Sequence, residues 1–399
     1  MYSLGSYLHR GLTFLNNRYF PSRKRLSTLM IYATDLCDSA CKHCLIWAKR
    51  PVKHLPFETI RQLLQKNKCV SSQTLVGLEG GEFLLHPEAM EILAWMRKHH
   101  PRFDLLSNCL KPDKLIRAVE KYPPQRLYVS LDGDKDTYLY MRGKEGYDSV
   151  LSVIQTLHKR VPISVMFCLS PYNDFEDMKH VGEVSQKYGV DMRVGVYNDI
   201  AFFDTLEKAH ETDIAEKKDK TKLVYKEVKP IKDKIQMDKG KSEQKDLSTP
   251  KHQVRDYQPF HEQIPSVVSD FPENREFLIL YEAWRRKKLK LKCHSILDSL
   301  IVLPDGTVPI CQNLDTKLGS IYQDSLDHIF NSPSSQKIQD KHVHHCNQCW
   351  INFHRKYDIV LYRTFERFFG TRTTAKLLGY YQWSDEPITY SSLMKKYSH

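Results

Sequence analysis

Short apolar runs recur along the first half of the chain, each followed by a longer amphipathic stretch. The runs 29–33, 74–78, 103–106, 126–131, 163–169 and 191–196 are rich in branched and aromatic residues and predict strands. The stretches 57–65, 87–99, 112–121, 148–159 and 175–188 predict helices. In 87–99, for example, Met90, Ile92, Leu93 and Met96 recur at helical spacing. Strand–helix alternation predicts parallel βα units with right-handed crossovers. Six units over 28–204 predict an α/β fold, a partial (β/α)6 TIM-like barrel of parallel strands. Such folds carry their chemistry at the C-terminal ends of the strands.

The flanking regions follow other patterns. Residues 1–27 read as a basic, partly helical lead-in with Tyr7, Leu8, Leu12, Phe14 and Leu15 apolar. Lys and acidic residues alternate densely after 205, so 205–272 reads as a charged insertion and linker, with mobility expected between 236 and 256. Residues 273–289 read as a helix. Runs 299–303 and 307–311, joined at Pro304-Asp305-Gly306, predict a hairpin, and 325–331 a helix. Together 273–355 predict a small α+β, cysteine-rich auxiliary domain, and 356–399 an aromatic and basic tail.

Composition narrows the class. The protein has 399 residues, of which 41% are hydrophobic and 11% aromatic, which excludes global disorder. No apolar run approaches a membrane span. Arg10, Asn16, Asn17 and Arg18 interrupt the first twenty residues, so no secretory core is expected and a cytoplasmic location is. The net charge of +12 is unevenly placed: Arg10, Arg18, Arg23, Lys24 and Arg25 precede the first acid, Asp35. A second block runs over 285–292, and Arg363, Arg367, Arg372 and Lys376 lie among the tail aromatics. Such patches suit an anionic partner, including peripheral contact with the inner face of an anionic membrane. Ordinary solubilising charge is the other reading. Charges in the insertion nearly balance, so nucleic acid is not an expected partner.

Cysteine spacing carries the chemistry. Seven of the ten cysteines fall into two groups. Cys37, Cys41 and Cys44 stand at CxxxCxxC spacing just after the first strand. Three thiolates so close can wrap a soft metal centre and leave one position open. A zinc or redox loop is the alternative. Cys293, Cys311, Cys346 and Cys349 form the second group. Cys69, Cys109 and Cys168 are dispersed, as buried small hydrophobes often are. Cys168, on the fifth strand, is the candidate to face the barrel centre, where a thiol can donate a hydrogen atom.

The cysteine loop is followed by Glu79-Gly80-Gly81-Glu82 after the second strand and Ser107-Asn108-Cys109 after the third. Ser130-Leu131-Asp132-Gly133 and Met141-Arg142-Gly143 follow after the fourth. In this order, these motifs resemble the radical SAM (S-adenosylmethionine) superfamily. The resemblance implies a [4Fe–4S] cluster on Cys37, Cys41 and Cys44, with SAM chelating its open iron. It also implies that Gly80, Gly81 and Glu82 hold the SAM amino group, and that Ser130 and Arg142 meet its ribose and carboxylate. Asn108 and Asp132 belong to the same cofactor-binding set, and His43 would pack against adenine. Two residues depart from the pattern: Cys109 replaces a common glycine, and His43 a common Tyr or Phe.

Cys293, Gly306-x4-Cys311 and Cys346-x2-Cys349 resemble the opening of a SPASM or twitch domain, although the later cysteines of a full SPASM domain are absent after Cys349. The implied cofactor is a second, auxiliary [4Fe–4S] cluster; a four-cysteine zinc site is the alternative. The implied activity is reductive cleavage of SAM to a 5′-deoxyadenosyl radical that abstracts hydrogen from a substrate C–H bond. A flavodoxin- or ferredoxin-like electron donor would supply the reduction. Maturation of peptide or protein side groups is the favoured expectation, with oxidation or epimerisation of a sugar or lipid-linked substrate as the alternative. An iron–sulfur redox protein without SAM catalysis is the reading of another class, and Glu82, Ser130 and Arg142 argue against it.

Overall fold

The computed structural model describes residues 4–198, 263–285 and 289–378, with short pieces at 381–382, 387–388 and 394–395. The charged insertion, including 236–256, lies outside these residues except for 263–272.

Helix α1 (Leu4–Tyr19) leads into β1 (Thr28–Thr34). Then follow α2 (Phe57–Lys66), β2 (Leu75–Gly80), α3 (Ala89–His99), β3 (Phe103–Ser107), α4 (Pro112–Lys121) and β4 (Arg126–Ser130). Next come α5 (Lys135–Arg142), α6 (Tyr147–Leu157), β5 (Ile163–Leu169), α7 (Phe175–Tyr188) and β6 (Asp191–Val196). After the insertion stand α8 (Pro272–Arg285), β7 (Ser299–Val302), β8 (Thr307–Pro309), β9 (Lys317–Ser320), α9 (Leu326–Asn331), α10 (Pro333–His345) and α11 (Asn352–Leu378).

The sheet is a partial barrel of seven parallel strands in the order β6-β5-β4-β3-β2-β1-β7. All six expected strands are present. The sequence places the seventh in a hairpin instead. The turn at 304–306 does form, with Gly306 N donating to Leu303 O at 2.9 Å. Its arms join different sheets, however: β7 extends the barrel beside β1, and β8 pairs antiparallel with β9. Local turn chemistry predicts the reversal of direction but not a partner 271 residues away in sequence. Helix α5 has no counterpart among the expected elements either. It is short and polar, and depends on an Asp134 side chain that accepts from Thr137 N and on a left-handed stop at Gly143.

Strand alternation sorts the side chains. Leu29, Ile31, Val76, Leu78, Phe103, Leu105, Leu127, Val129, Val165 and Phe167 are sealed beneath the helices. Burying each such side chain is worth about 1.5–3 kcal/mol. Their neighbours Tyr128, Ser130, Met166, Cys168, Arg193 and Gly195 are only partly buried and line the concave inner face. A one-residue slip would exchange the two sets, so burial fixes the register. The inner face is therefore an accessible lumen bordered by strand ends. Asn274 of α8 seals the β6 edge, accepting from Val194 N at 3.1 Å and donating to Met192 O at 2.8 Å.

Candidate active site

The Cys37–Cys44 loop is fastened from two sides. Ala40 N donates to Arg142 O and Lys42 N to Met141 O, both at 2.9 Å. Gly81 N donates to Thr34 O at 2.7 Å and Glu82 N to Leu36 O at 2.8 Å. These contacts explain the paired glycines. A Cβ at Gly80 would lie 2.2 Å from Thr34 O, and one at Gly81 would lie 2.2 Å from Leu36 O. The sequence suggests glycines for close approach to a ligand; here they let the β2 end lie directly on the cysteine loop.

Glu82 is 4% exposed, and both of its oxygens are held. Ser107 Oγ donates to one at 3.0 Å and Asn108 N to the other at 2.8 Å. Burial lifts its carboxyl to about 7. Asn108 Nδ2 reaches Asp38 Oδ1 at 2.9 Å and faces Cys37 Sγ at 3.9 Å. Cys109 takes the left-handed conformation at φ 62, so the turn geometry survives the departure from glycine at some backbone cost.

Arg142 is expected from the sequence to meet a ligand carboxylate with its planar fork. That fork is occupied instead by Asp132 Oδ2, at 2.8 Å from Nε and 2.5 Å from Nη2. Nη1 turns to Cys41 Sγ at 3.8 Å. The other Asp132 oxygen accepts from Cys168 N at 3.0 Å. Asp132 thus ties the cysteine loop to β5, and Arg142 brings a buried cation to the thiols. The Ser130 side chain is half-buried at the lumen, with no hydrogen bond among the described residues.

His43 is half-buried, but its Nδ1 is enclosed without a partner. Burial holds its imidazole down at about 4, so the ring is neutral at pH 7. Cys44 is pushed up to about 12 by burial and by Cys41, and Cys37 rises further. Such thiols do not ionise unaided near neutrality, and a metal centre supplies the missing positive charge.

The second set is assembled from distant segments. Cys293, Cys311 and Cys349 are buried and Cys346 partly so. Each of Cys293 and Cys311 lies close enough to Cys346 and Cys349 for their charges to interact. Arg355, fully buried, donates from Nε to Cys349 O at 3.0 Å, from Nη1 to Leu291 O at 2.7 Å and from Nη2 to Asn347 Oδ1 at 3.3 Å. Its ion-pair partner Asp358, at 3.5 Å, accepts from His294 N at 2.9 Å.

All ten cysteines are free. Among the described residues no three His, Cys, Asp or Glu side chains converge tightly enough for a single ion. A four-iron cube is wider than one ion. Thiol donors beside a buried arginine, with an unsatisfied imidazole nitrogen in the same loop, fit such a cube and a polar ligand bound to it.

Tyr32, Glu79 and Gln312 are not singled out for each other by the sequence. Tyr32 and Glu79 are register partners on β1 and β2, and the Tyr32 hydroxyl donates to the Glu79 carboxylate. Gln312 Nε2 donates to Tyr32 Oη at 2.5 Å. Gln312 follows Cys311, so this series of contacts joins the lumen to the second cysteine set. Alternation on β1 and β2 is the one signal available for Tyr32 and Glu79; nothing local points to Gln312. Cys69 and Cys109 are buried, as expected of small hydrophobes, whereas Cys168 is partly exposed at the lumen.

The geometry has counterparts. The radical SAM superfamily model matches residues 31–183, and the SPASM iron–sulfur cluster-binding domain model matches 293–350. No curated protein matches the sequence. Among solved structures, Streptococcus suis SuiB bound to S-adenosylmethionine is similar over 85% of this protein and 74% of that one, at 13% identity and TM-score 0.51. SuiB bound to its precursor peptide SuiA is similar over 85% of this protein and 72% of that one, at 12% identity and TM-score 0.50.

Proposed function

Because the protein belongs to the radical SAM superfamily and carries a SPASM iron–sulfur domain, we propose that it is a peptide- or protein-maturing enzyme that removes hydrogen from an unactivated C–H bond of an amino-acid residue. Its cofactors are a [4Fe–4S] cluster and SAM, which together supply a 5′-deoxyadenosyl radical on one-electron reduction, and a further iron–sulfur centre in the SPASM domain. Cys37, Cys41 and Cys44 would hold the first cluster. Glu82, Asn108, Ser130, His43 and the backbone at 80–81 would orient SAM. Arg142, held by Asp132, sets the charge beside the thiols rather than clamping a ligand with its fork. Cys293, Cys311, Cys346 and Cys349 would hold the auxiliary cluster. Cys168 faces the same lumen and could return a hydrogen atom to a substrate radical.

The observation that carries this reading is the half-exposed inner face, flanked at one strand end by the Cys37–Cys44 loop and reached from the second set through Gln312 and Tyr32. A lumen bordered by both sets suits a substrate that reacts between them. The peptide preference draws support from SuiB, which holds its precursor peptide in a similar fold. The electron donor would be of flavodoxin or ferredoxin type.

The test is anaerobic reconstitution with iron and sulfide, reduction, and addition of SAM with a library of short peptides. Formation of 5′-deoxyadenosine together with a peptide that either loses two hydrogens or, where a hydrogen is returned, is inverted at one carbon supports the proposal. 5′-Deoxyadenosine formation with no peptide ever altered, but with a sugar or polyprenyl-linked sugar oxidised, would replace the substrate class.

A further inference from the structure

Exposed large apolar side chains are not scattered evenly. Seven are exposed among the described residues: Leu12, Tyr19, Phe20, Met90, Tyr322, Phe368 and Phe369. Five of these seven belong to α1, the residue after it, and α11. These helices pack together, with Phe14 edge-on to Phe365 at 6.3 Å and Phe365 against Phe369 at 5.4 Å.

Helix α11 is a hairpin rather than a rod. It breaks at Gly370, where φ is 73 and an added Cβ would meet nothing within 4 Å. The second arm folds back, and Tyr362 Oη donates to Leu378 O at 2.7 Å to close the two arms. The tip therefore stands clear of the body. It carries Phe368, 72% exposed, and Phe369, 56% exposed, between exposed Arg367 and Arg372, with exposed Lys376 one turn on. Glu366 is the acid at this tip. On α1, Thr13, Phe14 and Asn17 turn inward and Leu15 packs against the core, so Leu12 and Tyr19 lie along the outward face. Arg18 is exposed and near enough for its charge to act on Tyr362.

We propose that the α11 tip and the outward face of α1 form a docking surface for an anionic lipid bilayer, with Phe368 and Phe369 entering the headgroup boundary. Aromatics projecting from a basic rim suit that boundary, where rings bury and arginines meet phosphates. No described helix is long and apolar enough to cross a membrane, so the contact would be peripheral. The proposal stands apart from the reaction proposed above, and its test uses no substrate.

The test is flotation of the reconstituted full-length protein with vesicles of phosphatidylcholine and phosphatidylglycerol at 2:1, and with phosphatidylcholine alone. Binding to the anionic vesicles is expected, weakening in 0.5 M salt. Phe368→Ser with Phe369→Ser should lower the partition coefficient at least about tenfold. Arg367→Glu should lower it roughly fivefold or more. These side chains are exposed, so melting temperature and iron content should not change; Phe368→Ser alone is the fallback should the double variant lose iron. Absence of anionic-vesicle binding would overturn the proposal, as would binding unaffected by loss of both phenylalanines. A concentration-dependent dimer abolished by the same variants would overturn it in favour of a second copy of the protein.

Discussion

The two cysteine sets solve one problem in opposite ways. The first lies within eight residues, on a loop whose shape comes from backbone contacts to Thr34, Leu36, Met141 and Arg142. The second spans 293–349 and converges only when α8, α11 and the segments between them are packed. Each has a buried arginine held by an aspartate: Arg142 with Asp132, and Arg355 with Asp358. Arg142 fastens its loop through its backbone carbonyl, and its guanidinium is engaged by Asp132 rather than by the loop's backbone. Arg355 also fastens Leu291, Asn347 and Cys349, so it is part of the scaffold itself. On this contrast, loss of a ligand from the local set should leave the apoprotein's stability unchanged, whereas disturbing the dispersed set should cost stability of the C-terminal unit while the first centre stays in place.

The largest expected effect follows from that difference. Cys41→Ala should abolish 5′-deoxyadenosine formation and lower iron from about eight to about four per protein, with the melting temperature of the apoprotein nearly unchanged. A large fall in apoprotein stability would break the comparison. Arg355→Met should destabilise the fold by about 3–5 kcal/mol in urea unfolding, because it leaves Asp358 and two carbonyls without their buried partner. It should cost the auxiliary irons and spare the first cluster. Cys349→Ser sharpens the contrast: iron should fall to about four per protein while SAM cleavage without substrate stays within roughly tenfold.

A smaller effect concerns Glu79, the lumen carboxyl that links the sets. Burial raises it to about 7 from an ordinary 4.5, with Tyr32 holding it down and Asp104 raising it further. Below pH 4.5 the folded and unfolded carboxyls are both protonated, and the site costs nothing. As pH rises toward 7 the unfolded carboxyl ionises first, so stability is lost through this window. Glu79→Gln should therefore stabilise the apoprotein relative to wild type at pH 8 by at most about 3 kcal/mol, and should make no difference at pH 4. Equal unfolding midpoints at both pH values would contradict this.

The contrast between the sets also governs what the sequence can reveal. Cys37, Cys41 and Cys44 are legible because one short loop holds them, and the six strands because their apolar runs are local. Glu82 and Asn108 are legible because each follows a strand. The parallel pairing of β7 with β1 is not, because no local pattern encodes a partner across the insertion. Arg142 can be singled out, but its engagement by Asp132 depends on how α5 lies over β4. Arg355 leaves only a faint signal, an Arg–Asp pair three residues apart within an otherwise aromatic helix. Gln312 leaves none, since a glutamine beside a cysteine looks like any loop residue until Tyr32 is placed against it.

The central claim is that the local loop initiates the chemistry and the dispersed set supports it. Quantifying 5′-deoxyadenosine from SAM, under reduction, in wild type, Cys41→Ala and Cys349→Ser tests this most directly. The account predicts product from wild type and Cys349→Ser and none from Cys41→Ala. Wild-type protein holding about eight irons and forming no 5′-deoxyadenosine would contradict it.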